Sequence, residues 1–407
     1  MRSFMLAVTV VIAATGVTGL AQHWPAWRGP THDGVSTERN LPDTWSATCA
    51  STPSAQDDAV SSGPFVADPV TGAAPDGAAE AQRGGGQRGP GQNFEGRPLV
   101  PTVCDKVETK NVAWKLPLPA FSGSTPIIWG DTIFLNVATG TNTGALELWA
   151  IDRNKQSVLW KRQITASNHM ERKQNMSSPS PVTDGKHVWV MSGLGILKAF
   201  NFGGKEIWSR DIQADYGKFG LNWGYASTPL LKADALYLPV LHGMKTDDPS
   251  YVMKIDKLTG KTIWKVERPN PAVRESPDAY ITPAWIDAGG RAELIITGGD
   301  VVSGHDPATG KEYWRADVLN PDRNGAYRIV ASPTVVNDLI IAPTRVNPLT
   351  AMKPGGSGDV AKTHVAWQFA QGPDVPTPVS DGKLLYVVRD NGIAYALDVK
   401  TGEPVYG

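Results

Sequence analysis

Polar and aromatic side chains that could hold a ligand stand three to seven residues before four prolines of this chain. They are Asn222, Trp223, Asp278, Tyr280, Arg328 and Asp374. An aromatic ring can stack on a planar ligand, and an arginine can pair with a carboxylate. These residues therefore predict a site for a polar, planar ligand, provided that the fold brings their loops together. Otherwise they are ordinary loop residues that cap turns.

Other segments give weaker chemical signals. The glycine-rich run "KPGGSGD" (353–359) could cradle a phosphate, but it lacks the Lys-Ser/Thr and the helix that follow a P-loop, so a flexible loop is favoured. None of the 7 histidines lies in a metal-binding pattern, and no metal site is predicted. The serines of "NMSSPSP" (175–181) lack a nucleophile elbow. No catalytic residue can be assigned from the sequence.

The prolines that follow the candidate residues belong to a repeat. A proline followed by apolar residues and a second strand-like run occurs at Pro126, Pro181, Pro229, Pro283, Pro333 and Pro378, with spacings of 55, 48, 54, 50 and 45 residues. A second, interleaved series consists of Trp114, Trp160, Trp208, Trp264, Trp314, Trp367 and Tyr406. Both series step at about fifty residues, which is a period typical of repeat architectures.

Each repeat has the local signals of short β-strands. In "KLLYVVRDNGIAYALDVKTGEPVY" (383–406), apolar runs alternate with the turns "DNG" and "KTG". Together with the proline-led strand this makes four strands a repeat, which predicts an all-β fold, a β-propeller of four-stranded antiparallel blades. In "DPATGKEYW" (306–314), Gly310 is expected to take positive φ in the turn and Trp314 to pack between blades.

The N-terminus has the composition of a secretory signal peptide. Arg2 precedes an apolar stretch, and small residues predict cleavage after Ala21. The mature chain is therefore expected in the periplasm or outside the cell, without a transmembrane segment. The formal net charge of −1 gives no reason to expect nucleic acid as a partner.

Residues 49–104 differ from the rest of the chain. Residues 50–103 contain no Trp, Tyr, Ile, Met or Lys and are rich in Gly, Ala and Pro, which predicts a disordered insert. Its flanking residues, Cys49 and Cys104, are the only two cysteines. Export permits a disulfide between them, and two unpaired thiols are the alternative. The predicted organisation is thus a signal peptide (1–21), an N-terminal segment packed on the propeller (22–48), the insert, and the propeller (105–407).

Several motifs resemble a known family. "VMKIDKLTGKTIW", "VSGHDPATGKEYW", "YALDVKTGEPVY" and "PVTDGKHVWV" resemble the pyrroloquinoline-quinone (PQQ)-like β-propeller repeat. "HWPAWRGPTHDGVSTERNLPDTW" and "GGSGDVAKTHVAW" resemble segments of secreted bacterial proteins of this type. The resemblance implies kinship both with quinoprotein dehydrogenases, which hold PQQ and calcium, and with the non-catalytic outer-membrane barrel-assembly lipoprotein.

The family resemblance also implies eight blades, whereas six proline-led repeats are present, with a strand around Trp114 that could complete the last blade. We therefore expect a C-terminally truncated chain, and a closed ring of six or seven blades is the alternative. The chain has no adjacent Cys-Cys pair and no evident calcium motif. This favours a non-catalytic module that binds a protein, peptide or carbohydrate. The alternative is a PQQ-dependent alcohol or sugar dehydrogenase.

Overall fold

The computed structural model describes residues 23–39, 41–42, 44, 46–49, 107–171, 173–345 and 348–407. The chain divides into two compact units, one formed by Met1–Thr37 and Pro117–Gly407 and the other by Glu38–Leu116. The predicted signal peptide, nearly all of the predicted insert, and Cys104 lie outside the described residues. The predicted disulfide and disordered insert therefore stay predictions.

The first unit contains, within the described ranges, six antiparallel sheets that each use four strands made by one sequence repeat. We call these sheets blades 1 to 6. Blade 1 consists of β4 (Ile127–Trp129), β5 (Thr132–Ala138), β6 (Leu146–Asp152) and β7 (Ser157–Thr165), and β1 (His23–Trp24) joins its β4 edge. Blade 2 consists of β8 (Val182–Thr183), β9 (His187–Met191), β10 (Ile196–Asn201) and β11 (Glu206–Asp211). Blade 3 consists of β12 (Leu230–Lys232), β13 (Ala235–Val240), β14 (Tyr251–Asp256) and β15 (Thr262–Glu267).

The last three blades follow the same plan. Blade 4 consists of β16 (Ala284–Ala288), β17 (Arg291–Gly298), β18 (Val301–His305) and β19 (Glu312–Asp317), and β23 (Gly358–Asp359) pairs in parallel with β19. Blade 5 consists of β20 (Thr334–Val336), β21 (Leu339–Ala342), β22 (Leu349–Met352) and β24 (Val365–Phe369). Blade 6 consists of β25 (Val379–Ser380), β26 (Leu384–Val388), β27 (Ala394–Asp398) and β28 (Pro404–Tyr406). The predicted four-stranded blades are confirmed.

The proline-led strand is one edge of every blade. In each blade the first strand begins directly after the proline, which suits a residue that has no backbone N–H to give to a ladder. These strands contact one another between consecutive blades, as β4 contacts β8 and β8 contacts β12. They therefore form the inner, channel-lining edge of the propeller. No strand of blade 1 pairs with one of blade 6 among the described residues, and the blade number of the whole protein stays a prediction.

The repeated tryptophan connects each blade to the next. The indole N–H of Trp264 on blade 3 donates to the carbonyl of Pro307 on blade 4 at 3.2 Å. A Cβ placed on Gly310, in the same turn, would lie 2.7 Å from the Trp264 ring. Gly310 has a φ of +79°, as expected from the sequence. The same arrangement joins Trp160 to the turn at Gly204, Trp208 to that at Gly260, and Trp367 to that at Gly402. The turn therefore packs against the tryptophan of the preceding blade and accepts its indole N–H.

The chain has one short helix in the described part, α1 (Ile212–Tyr216), capped by the Asp211 side chain. In the described ranges no helix has the length and hydropathy needed to cross a bilayer. Residues 111–126 form no strand, so the predicted strand around Trp114 is wrong, and β28 is the outer strand of blade 6. The second unit contains an antiparallel pair of β2 (Ser46–Cys49) and β3 (Val107–Lys110).

The N-terminal residues 23–34, which we call the strap, lie against the inner strands. His23 and Trp24 pair with Trp129 and Ile128 of β4, and the His23 ring stacks on Trp129 with 4.2 Å between centroids. The carbonyl of Pro25 accepts from Thr183 N of blade 2 at 2.9 Å. Because β4 is a channel-lining edge, a strand that extends it lies on the channel side.

The strap reaches the last two blades through Arg28, whose side chain is only 5% exposed. Its guanidinium donates to Thr334 Oγ1 of blade 5 at 2.8 Å and to the carbonyl of Pro378, before blade 6, at 3.0 Å. A Cβ on Gly34 would lie 3.0 Å from Val379 of blade 6. Twelve residues of strap therefore contact blades 1, 2, 5 and 6.

Candidate ligand site at the channel rim

A set of hydroxyl groups aligns the loops that carry the candidate residues. The residue before each of the six prolines is Ser or Thr. Across four blade boundaries, one hydroxyl of this set accepts the backbone N–H of its counterpart in the preceding blade. The bonds are Thr125 N to Ser180 Oγ, Ser180 N to Thr228 Oγ1, Thr282 N to Ser332 Oγ and Ser332 N to Thr377 Oγ1, at 2.9–3.0 Å. The loops before the prolines consequently start from fixed points around the channel, and we call their surface the rim.

Asp278 joins blades 3 and 4 at the rim. Its side chain is fully buried. One carboxylate oxygen accepts from Asn222 N at 2.7 Å and the other from Met244 N at 3.1 Å. Burial raises the pKa of Asp278 to about 6, while these N–H groups oppose the rise because they favour the charged form. Both oxygens of this carboxyl group are thus occupied by the protein's own backbone.

Trp223 and Tyr280 form a second link between the same blades. The backbone N–H of Trp223 donates to the Tyr280 hydroxyl at 3.2 Å, and its indole N–H donates to Glu275 Oε1. Asn222 Nδ2 donates to the same glutamate oxygen at 3.3 Å. Burial raises the pKa of Tyr280 far above its ordinary value, so its hydroxyl is neutral and acts only in hydrogen bonding.

Arg328 carries the connection to blade 6. Its guanidinium, 5% exposed as a residue, lies 3.7 Å from Glu275 Oε1 and 3.4 Å from Asp374 Oδ2. Arg345 Nε lies 3.8 Å from the same Asp374 oxygen. Burial raises the pKa of Asp374, whereas the two arginines act in the opposite direction. The backbone N–H of Asp374 donates to Asp390 Oδ2 at 2.8 Å.

All six candidate residues therefore lie in one continuous network, which we call the rim network, although they come from loops of four blades. Glu275 is its central member, since it contacts Asn222, Trp223 and Arg328. The sequence analysis missed Glu275. Glu275 could have been found from its position, because it precedes Pro283 by eight residues, one more than the largest distance between a candidate residue and its proline.

Comparison with known proteins gives the family. The family model described as "Outer membrane protein assembly factor BamB" (PQQ_2) matches residues 101–219 and 177–406. The chain belongs to this family. A search of curated proteins finds no match. Among solved structures, BamB from Moraxella catarrhalis is similar, with 15% identity, 72% of this chain and 76% of that chain covered, and a TM-score of 0.50. A quinohemoprotein alcohol dehydrogenase from Comamonas testosteroni matches at 11% identity over 70% of this chain and 46% of that chain, with a TM-score of 0.41.

In this BamB-family chain, a cavity of about 220 Å³ adjoins the blade 6 end of the rim network. It is lined by Arg345, Gly372, Asp374, Arg389, Asp390 and Asn391. The outer oxygen of Asp374, Oδ1, is buried and has no hydrogen-bond partner in the described part of the chain. The residues that line the cavity carry charges of both signs, and none of them is aromatic.

The rim network of this BamB-family chain does not fit pyrroloquinoline quinone, whose three carboxylates require unpaired cationic donors. Arg328 is buried between Glu275 and Asp374, and the oxygens of Asp278 accept backbone N–H groups. The indole N–H of Trp223 is bonded to Glu275. A tricarboxylate placed here would have to displace these partners and would meet three carboxyl groups of the chain itself. A calcium ion bound beside the quinone would have to compete with backbone N–H groups for both oxygens of Asp278.

Proposed function

We propose that this chain is a non-catalytic propeller of the periplasm or the extracellular space that binds a protein partner at the rim. The predicted signal peptide supports the location. The description of the matching family as an outer membrane protein assembly factor supports a protein partner. A carbohydrate is a less favoured ligand, because the rim cavity described above lacks an aromatic face on which a sugar ring could stack.

The observation that carries the proposal is the contrast between paired charged groups and exposed apolar groups at the rim. The charged groups of the rim network are paired within the chain, while large apolar side chains on the same loops or on loops bonded to them are exposed. These are Phe121, Met244, Val273 and Val375, each 45–55% exposed. Exposed apolar side chains among paired charges are typical of surfaces that contact other proteins.

The positions of these apolar residues follow from contacts with rim loops. Phe121 O accepts from Asn175 Nδ2 at 2.7 Å, and Met244 N donates to Asp278 at 3.1 Å. Val273 O accepts from Ser276 N at 3.2 Å, beside Glu275, and Val375 follows Asp374 in sequence. They come from the loops of blades 1, 3, 4 and 6.

Site-specific photo-crosslinking in producing cells tests the proposal. A photoreactive phenylalanine analogue at position 121 or 244 should give the same discrete adduct. The same analogue at Leu159, which is 49% exposed on the outer strand β7, is the matched control and should give none. Equal adducts at all three positions, or none at the rim, would contradict a rim partner. A Val273 probe should lose its adduct when Phe121 and Met244 are both changed to Ser.

The dehydrogenase alternative has its own test. Purified protein is mixed with PQQ and Ca²⁺, and quinone absorbance and dye reduction with alcohols or sugars are followed. We expect no stoichiometric quinone retention and no turnover. Tight one-to-one retention with turnover would refute the non-catalytic assignment.

A further inference from the structure

A second cavity, of about 120 Å³, lies between the strap and the inner strands of blades 3, 4 and 5. Its wall includes Trp27, Arg28 and His32 of the strap, and Lys232, Trp285 and Ser332 of the blades. We call it the strap cavity. A single water needs only about 10–15 Å³ of such space. The cavity therefore has room for a ligand of several heavy atoms, and none of the rim network residues lines it.

The strap cavity carries an excess of positive charge. Arg28 bonds only neutral oxygens, namely Thr334 Oγ1 at 2.8 Å and the carbonyls of Asp33 and Pro378 at 3.0 Å. No carboxylate of the described residues lies within ion-pair distance of Arg28. A buried cation without a counter-ion is costly, and an anion nearby removes part of that cost. Lys232 adds a second cation, 5.3 Å above the Trp285 ring.

The one acid in the wall, Asp33, compensates only part of this charge: burial lowers the pKa of Arg28 to about 10, although the Asp33 carboxylate acts in the opposite direction. Asp33 Oδ1 accepts from Thr31 Oγ1 at 2.6 Å and from Val35 N at 2.9 Å, so this carboxylate is used to shape the turn of the strap. Burial is the main cause that lowers the pKa of His32 to about 4; the charges of Lys232 and Arg28 lower it further, and that of Asp33 opposes them. The indole N–H of Trp27, also in the wall, has no acceptor among the described residues.

We propose that the strap cavity binds a small oxyanion, with Lys232 and Arg28 supplying the charge. The chemistry is that of a tetrahedral inorganic anion or of the carboxylate of a small organic acid. Both present oxygens that an ammonium group can bind as a point charge. Binding here would also hold the strap against blades 3 to 5, because the ligand would contact the strap and the blade strands together.

The test uses the full-length mature protein and three probes: sodium phosphate, sodium sulfate and sodium acetate, each against sodium chloride at equal ionic strength. Isothermal calorimetry and the melting temperature are measured. At least one probe should bind saturably and raise the melting temperature. A response to acetate alone identifies a carboxylate ligand, and a response to phosphate or sulfate alone identifies a tetrahedral anion.

Lys232 is exposed, so its replacement should leave the fold intact. Lys232→Gln should weaken binding at least about tenfold, which is the loss of one charge-assisted contact. Lys232→Arg should keep most of the binding affinity. Lys311 is an exposed lysine in the blade 4 turn, and Lys311→Gln should not change the affinity. Failure of every probe to bind saturably, or equal binding by wild type and Lys232→Gln, would overturn the proposal. Neither result bears on the rim partner.

Discussion

The indole N–H of Trp314 donates to the Glu293 carboxylate at 2.8 Å, within its own blade. Four other tryptophans of the repeat instead donate to a backbone carbonyl of the next blade. Blade 5 has a longer loop, which contains "KPGGSGD" and β23, in the place of the short glycine turn that accepts the other four indoles. Glu293, fully buried, holds that loop by accepting from Gly355 N at 3.3 Å. A carboxylate at this place also argues against phosphate binding by the loop.

Glu293→Gln should therefore destabilise the protein. Trp314 and Gly355 both donate to Oε2, which the amide oxygen of Gln can replace, but the amide NH2 group then stands at the place of Oε1, where it cannot accept from Arg291, and the ion pair is lost. We expect a loss of about 1–3 kcal/mol in the free energy of unfolding and faster hydrogen exchange in residues 355–360. Glu147→Gln is the matched control, because Glu147 accepts from Trp149 at 2.8 Å but is partly exposed. A loss of equal size in both variants would contradict a special role for Glu293.

The contact between the Trp264 ring and the turn at Gly310 predicts a second effect on stability. Gly310→Ala places a methyl group 2.7 Å from the Trp264 ring and forces Ala into positive φ. Gly392 has a similar φ, +84° against +79°, but open space around it. Gly392→Ala should therefore cost about 1–2 kcal/mol for the backbone alone. Gly310→Ala should cost about 1–3 kcal/mol more from overpacking. If urea unfolding showed equal losses of unfolding free energy for Gly310→Ala and Gly392→Ala, the contact with Trp264 would contribute nothing to the cost.

The hydroxyl groups before the prolines can be tested at Ser180, which is buried. Ser180→Ala leaves Thr125 N without its acceptor and should cost about 1–3 kcal/mol. Ser180→Thr keeps the oxygen, and Thr already serves this role at positions 228 and 377, so most of the stability should return. The measurement is the urea midpoint at constant m-value. If Thr is as damaging as Ala, steric packing rather than the hydroxyl bond explains the loss.

The repeat could be predicted from sequence because its determinants are local. A proline that starts an edge strand, a glycine in a turn and a tryptophan on the strand after that turn each act within one blade or on the next. The candidate residues at positions 222, 223, 278, 280, 328 and 374 could be singled out by the same spacing. The structure brings them together, while their use by a ligand stays a proposal.

Other features depend on contacts between distant parts of the chain. The predicted strand around Trp114 does not form, although Trp114 has the correct spacing. The residues before the six prolines are all Ser or Thr in the sequence. Only the structure shows that their hydroxyl groups accept backbone N–H groups of the preceding blade. The central place of Glu275 results from two other loops approaching its carboxylate. The contact of Arg28 with blades 5 and 6 spans more than 300 residues, as |i−j| is 306 for Arg28 and Thr334.

The pH dependence of stability gives the last prediction. Burial raises the pKa of Asp278 from 3.8 to about 6, so the folded state binds this proton more tightly than the unfolded state. The contribution of Asp278 to stability is therefore largest below pH 3.8 and is lost as the pH rises through about 6. Asp278→Asn removes this titration. The free energy of unfolding of wild type minus that of Asp278→Asn should fall by about 2 kcal/mol between pH 4 and pH 7, measured by urea unfolding.

Asp256→Asn is the control with the opposite sign. Hydrogen bonds from Thr259 lower the pKa of Asp256, so its contribution is present above its unfolded pKa and is lost only on acidification through the lower folded value. The free energy of unfolding of wild type minus that of Asp256→Asn should not fall between pH 4 and pH 7. A flat difference for Asp278→Asn would mean that the N–H groups of Asn222 and Met244 outweigh burial, and that the carboxylate joins blades 3 and 4 in its charged form throughout.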